Sequence, residues 1–126
     1  MARPRHTPNP TMHELSLADG IVRMVEASAV RARFTRVSRL RLEAGALAGV
    51  ETQALRFALD ALRPGTCLQD AQIDIDEPPG RAWCGPCGSE VRIDSRADPC
   101  PRCGGYPVRV VGGADLRVVD LLVLEP

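Results

Sequence analysis

Apolar residues recur at helical spacing from Leu15 onward: Ala18, Ile21, Val22, Val25 and Ala29, with Asp19, Arg23 and Glu26 between them. That period predicts a helix to about Arg33 with one apolar face. Ser38, Leu40, Leu42 and Ala44 then alternate with Arg39, Arg41 and Glu43, the pattern of a half-buried strand. Gly45 and Gly49 bracket a turn. A second helix runs from Glu51 to Leu62, burying Ala54, Leu55, Ala58 and Leu62, and Pro64-Gly65 stops it. Ala71, Ile73 and Ile75 alternate with Gln72, Asp74 and Asp76 in a further strand, closed by Pro78-Pro79-Gly80. After Tyr106-Pro107 the valines 108, 110 and 111 restart a strand, and Gly112-Gly113 makes a turn. Leu116 to Leu124 carries apolar residues on both faces and reads as a central strand covered on both sides.

This order predicts an α+β fold, an α/β layer of two helices on a three-stranded sheet, with an inserted zinc-ribbon-like lobe. The expected division is a leader over 1–11, a helix–sheet domain over 12–80 and 107–126, and a cysteine-bearing lobe over 81–106. Pro4, Pro8 and Pro10 among polar neighbours predict disorder in the leader.

Composition narrows the function classes. Apolar residues make up 44% of the 126 positions but aromatics only 3%, so the core has to be built from Leu, Val, Ile and Ala. Sixteen basic residues, all Arg, balance sixteen acidic ones, which argues against bulk electrostatic binding to nucleic acid or a membrane surface. No apolar run approaches the length that spans a bilayer, and the leader lacks the apolar segment of a secretory signal. Five cysteines, four of them in two CxxC pairs, fit a reducing, cytoplasmic setting and a metal site better than a disulfide scaffold.

Cys84-Gly85-Pro86-Cys87 and Cys100-Pro101-Arg102-Cys103 are separated by twelve residues. Each CxxC turn aims two thiolates at one point, and two turns complete the closed tetrahedral sulfur shell of a structural zinc. Gly88 and Gly104-Gly105 come after the turns, where the backbone of such knuckles needs positive φ. With few apolar residues of its own, the lobe is expected to depend on metal for its fold. Trp83-Cys84-Gly85-Pro86-Cys87 also matches the active-site string of thioredoxin. Redox chemistry needs a helix directly after that string, whereas Gly88 to Asp94 alternates and turns. Cys67, outside the quartet, reads as a small buried hydrophobe.

Met12-His13-Glu14-Leu15-Ser16 marks the start of the first helix, and His13 is one of two histidines, the other being His6. Taken with Gly45 to Glu51, Leu55-Arg56-Phe57-Ala58-Leu59, Gly65-Thr66 and the cysteine quartet, it gives the chain a pattern in order and spacing. From Met12 to Glu125 the sequence resembles the HypA/HybF family of hydrogenase nickel-incorporation proteins. The resemblance implies a nickel metallochaperone that delivers Ni(II) for hydrogenase maturation and carries a structural zinc. It implies two partners, the GTPase of that maturation pathway and the hydrogenase large subunit. It also places nickel at Met12, His13 and Glu14, with Glu51 as a carboxylate that orients or supplements the site. A terminal amine, backbone amides and an imidazole make the nitrogen-rich tetragonal site that suits Ni(II) better than zinc. That chelate requires Met12 to be the first residue, which is the start expected here; with a leader in place, His6 is the substitute nitrogen.

The residues themselves indicate no enzyme: there is no phosphate-cradling glycine loop and no nucleophile beside a base. The alternative is a zinc-ribbon adaptor for nucleic acid or protein, since Arg81, Arg92, Arg96, Arg102 and Arg109 surround the knuckles. Glu90, Asp94 and Asp98 interleave with them, and only Trp83 and Tyr106 offer stacking surfaces, so no nucleic-acid partner is expected.

Overall fold

The computed structural model describes residues 11–106 and 108–124. The expected disorder of the leader and any role of His6 fall on residues 1–10, outside the described ones. The elements are α1 (Met12–Ala32), β1 (Val37–Ala44), α2 (Thr52–Leu62), β2 (Gln72–Asp76), β3 (Gly80–Cys84), β4 (Ser89–Ile93), β5 (Arg109–Gly112) and β6 (Leu116–Val123). The fold is mixed α+β, with two three-stranded sheets in the orders β2-β1-β6 and β4-β3-β5. Among the described residues no helix is long and apolar enough to cross a membrane.

Chain contacts define two units, one of Met1–Arg39, Glu51–Gln72 and Leu122–Pro126, the other of Leu40–Val50 and Ile73–Leu121. The first contains both helices. The α1 face formed by Ala18, Ile21, Val22, Val25 and Ala29 is buried as its period requires, and α1 lies against α2. On α2 the buried face is Ala54, Leu55, Ala58 and Leu59. Leu59 takes the place expected for Leu62, which is half-buried at the last turn. Leu55, Leu59 and Leu68 are sealed from solvent, each contributing about 1.5–3 kcal/mol of apolar burial. α1 ends at Arg33, a left-handed residue (φ 59°) whose N–H donates to the Ala29 carbonyl.

α1 also begins earlier than its apolar period suggests, at Met12 and not Leu15. Thr11 caps it: the Glu14 amide donates to the Thr11 hydroxyl, and the Glu14 carboxylate accepts from the Thr11 amide. This reciprocal box satisfies two N–H groups that the first turn would otherwise leave unpaired.

In the second unit, Leu47, Ala82, Val91, Ile93, Cys84 and Cys100 form one buried cluster, with Val108, Val110 and Ala114 against it. β3 is central here. It pairs antiparallel with β4 through Ala82↔Val91 and Trp83↔Glu90, and with β5 through Ala82↔Val110 and Trp83↔Arg109. The strand expected at 108–111 therefore forms, but it belongs to the cysteine-bearing sheet. β3 escapes a reading of the sequence, because its inward residues Gly80, Ala82 and Cys84 are too small to register as an apolar row, whereas β4 buries Val91 and Ile93 in the alternation that follows Gly88.

β6 corrects a second expectation. It is an edge strand, and Leu122, Val123 and Leu124 are exposed. Its partners descend along β1 as it ascends: Gly45 N–H donates to the Asp115 carbonyl, Arg117 bonds Glu43, Arg41 bonds Asp120, and the Ser38 hydroxyl donates to the Leu122 carbonyl. Those charged pairs line a solvent-facing strand, which a double-sided covering would not tolerate.

Candidate metal centres

Each CxxC turn is closed in the same way. The Gly88 N–H donates to the Cys84 carbonyl at 2.9 Å, and the Gly104 N–H donates to the Cys100 carbonyl at 2.8 Å. Both glycines take positive φ, 62° and 71°, the left-handed backbone that lets the chain turn back under its own thiols. The folded turns bring all four Sγ atoms within 4.8 Å of one another. Cys84 and Cys103 are 3.6 Å apart and Cys87 and Cys100 3.8 Å. A tetrahedral metal with bonds of about 2.3 Å to sulfur has S···S edges of about 3.8 Å, so the cage already has the size of a tetrahedral thiolate site. It is the only metal-sized cluster of His, Cys, Asp or Glu among the described residues.

The thiols do not ionise alike. The backbone N–H groups of Cys103 and Arg102 hold the Cys100 thiol down to about 6, opposed by its burial. Hydrogen bonding to the Cys103 and Cys84 thiols, reinforced by desolvation, pushes Cys87 up to about 12. One thiolate forms readily and its neighbours then resist further negative charge. A bound cation would remove that resistance. The thioredoxin reading fails on local structure, since Cys87 is followed by a turn and β4, with no helix N-terminus to activate Cys84.

At the other candidate centre, Met12, His13 and Glu14 form the first turn of α1. Met12 is 77% exposed and the His13 side chain 57% exposed. Glu14 is 4% exposed and is the one charged residue buried among those described. Its Oε1 accepts from the Thr11 hydroxyl and backbone N–H, and its Oε2 lies 2.9 Å from His13 Nδ1. The Thr11 hydroxyl first, and His13 second, hold this carboxyl below its usual range against the opposing effect of burial. Sequence reasoning missed Thr11, although Thr11-x-x-Glu14 is the spacing of a capping box.

Glu51 caps α2, accepting from the Gln53 and Ala54 amides at 3.3 and 2.9 Å. Its carboxylate is thus held by the helix it begins. Cys67 is buried as expected; desolvation, then the neighbouring Glu26, pushes its thiol up to about 12.

Residues 12–123 match the family described as hydrogenase/urease nickel incorporation, metallochaperone, HypA. The hydrogenase maturation factor HypA of Cupriavidus necator is 55% identical over 112 residues, covering 89% of this chain and 94% of that protein. That of Polaromonas naphthalenivorans is 50% identical over 114 residues, covering 90% and 99%. The solution structure of the Ni metallochaperone HypA from Helicobacter pylori shares the fold, with a TM-score of 0.64 at 18% identity over 90% of this chain and 98% of that one. This chain belongs to the HypA family of nickel-incorporation metallochaperones that serve hydrogenase maturation.

Proposed function

We propose that the chain carries Ni(II) to a hydrogenase under maturation, binding it at the N-terminal turn of α1 while a structural zinc holds the cysteine lobe. The observation that supports the zinc assignment best is the S4 cage itself: four thiols at tetrahedral spacing, tied down by two matched glycine turns. A closed all-sulfur shell leaves no open position for chemistry, as a structural zinc requires. Zinc is held by Cys84, Cys87, Cys100 and Cys103, within the lobe of residues 81–106.

Nickel is assigned to the unit that contains both helices, at the start of α1. His13 is its first ligand, with Met12 and Glu14 contributing from the same turn. An exposed imidazole at a helix start is reachable by a partner protein, as cargo that must be handed over should be. The partners are the GTPase of the maturation pathway and the hydrogenase large subunit, met in the cytoplasm. The chain does no bond chemistry of its own.

The test is a nickel titration by calorimetry on the zinc-loaded 126-residue chain and on the chain cut to begin at Met12, each beside its His13→Ala version. Stoichiometric binding that His13→Ala abolishes supports the reading. Nickel binding that survives the substitution in both lengths overturns the assignment to α1.

A further inference from the structure

The arginines around the cysteine turns are sorted by the sheet in a way that their order in the chain conceals. Arg81 and Trp83 alternate on β3 with the buried Ala82 and Cys84, and Glu90 and Arg92 alternate on β4 with the buried Val91 and Ile93. Pairing sets Arg81 opposite Arg92, and Trp83 between Glu90 on one side and Arg109 on the other. Residues directly opposite in a sheet share a face. The outer face of β4-β3-β5 therefore gathers Arg81, Arg92 and Arg109 around Trp83, which is 39% exposed, with Glu90 as the one carboxylate among them.

The acidic residues that alternate with these arginines along the chain neutralise only part of that charge. Glu90 bonds Arg81 at 3.1 Å. Asp98 turns its carboxylate to the amides of Asp94 and Ser95, and Asp94 only approaches Arg92, at 3.9 Å. The Arg109 side chain has no partner among the described residues. Like charges directly opposite each other cost stability, and Arg81 and Arg92 are such a pair. Gly112 makes room for one of them: a Cβ there would meet the Arg81 guanidinium at 2.6 Å, so the bare glycine lets that group lie against β5.

We propose that this face is a docking surface for an acidic protein segment, whose carboxylates pair with Arg92 and Arg109 while an apolar side chain lies on Trp83. Charge complementarity selects the partner, since the face is cationic in a chain whose formal net charge is zero. The planar guanidinium fork matches a carboxylate through two parallel hydrogen bonds. Tryptophan and arginine are also the side chains that dominate binding energy at protein interfaces. A single-stranded nucleic acid fits less well. Successive bases need a row of rings, and Trp83 is the only aromatic on these three strands, with Glu90 beside it to repel phosphate.

The test uses the zinc-loaded 126-residue chain and a short synthetic peptide of glutamates around one central leucine, beside an oligothymidylate of equal charge. Trp83 is the only tryptophan, so its fluorescence reports on this face alone. Expected is saturable binding of the peptide that moves Trp83 emission to shorter wavelength and weakens as salt rises. Arg92→Glu combined with Arg109→Glu should lower the affinity by about 10-fold or more. Both positions are exposed, so circular dichroism and zinc content should match those of the unaltered chain. Arg23→Glu combined with Arg31→Glu makes the same change of net charge on α1, outside this sheet, and should leave the affinity unchanged.

Absence of peptide binding overturns the proposal. So does binding that the two double variants weaken alike, or binding that leaves the Trp83 emission in place. Tighter binding of the oligothymidylate than of the peptide also overturns it, and makes the face a nucleic-acid surface instead.

Discussion

The Sγ atoms of Cys84 and Cys103, nineteen residues apart in sequence, stand 3.6 Å from each other. Protonated thiols have little reason to crowd at that distance. The buried apolar cluster behind them is Leu47, Ala82, Val91 and Ile93 besides two of the cysteines, with Val108, Val110 and Ala114 only partly buried against it. So small a core cannot offset the ordering of three short strands. On the proposed zinc assignment, stripping the metal with a strong chelator should therefore abolish amide protection in β3, β4 and β5. The amides of α1 and α2, which bury their own apolar faces, should keep theirs. Hydrogen exchange measured by residue checks this, and retained protection in β3 without metal would show that the lobe folds unaided. Trp83, the only tryptophan, gives the same readout by fluorescence.

Glu51 supplies a second prediction, since one carboxylate caps α2 through two amides. Glu51→Ala should lower stability by about 0.5–2 kcal/mol, the usual cost of losing an N-cap. Glu51→Ser keeps a good cap and should recover most of that loss in a urea melt. Because the carboxylate is engaged by its own helix, nickel affinity of Glu51→Ser should equal that of the unaltered chain. A loss of affinity at preserved stability would instead place Glu51 in the service of the nickel site.

How much of this is legible in the sequence depends on the size and placement of side chains. The faces of α1 and β1 and the cluster of four cysteines can be read because large apolar residues or CxxC spacing mark them directly. β3 cannot, because Gly80, Ala82 and Cys84 bury one face without any large side chain. β6 misleads for the opposite reason: Leu122 and Val123 are apolar yet exposed, so hydrophobicity along a strand does not report its position in the sheet. The burial of Glu14 is hidden because a charged residue carries no apolar signal, and only its spacing from Thr11 hints at the box. The redox string at Cys84 and Cys87 is a match of letters alone, since the chain continues from it into β4 and not into a helix.

Cys67 should be chemically silent. Its thiol is buried, desolvation and Glu26 push it up to about 12, and the Cys67 amide donates to the Glu26 carboxylate. At pH 8 it then holds on the order of a thousandfold less thiolate than an ordinary cysteine with a value of about 8.5. With zinc protecting the quartet, iodoacetamide at pH 8 should leave Cys67 unmodified until the chain unfolds, as mass spectrometry would report. The linked effect on stability has a definite sign. A thiol raised on folding favours the fold below its unfolded value, and that contribution fades as pH climbs from about 8.5 toward 12.

Gly49 and Gly113 separate two costs that positive φ usually mixes. Both are left-handed, at φ 72° and 73°. A Cβ on Gly49 would meet nothing within 4 Å, whereas one on Gly113 would lie 2.2 Å from the Pro79 carbonyl oxygen. Gly49→Ala therefore adds only the left-handed penalty, about 1–2 kcal/mol. Gly113→Ala adds to this a backbone clash that no side-chain rotation relieves. Moving the Gly113 backbone would also disturb its carbonyl, which accepts from the Leu47 amide at 2.8 Å. Gly113→Ala should accordingly destabilise by clearly more than Gly49→Ala in matched denaturant melts. Equal losses would mean that the Pro79–Gly113 contact yields easily, and that the close approach of these two turns contributes nothing to the fold.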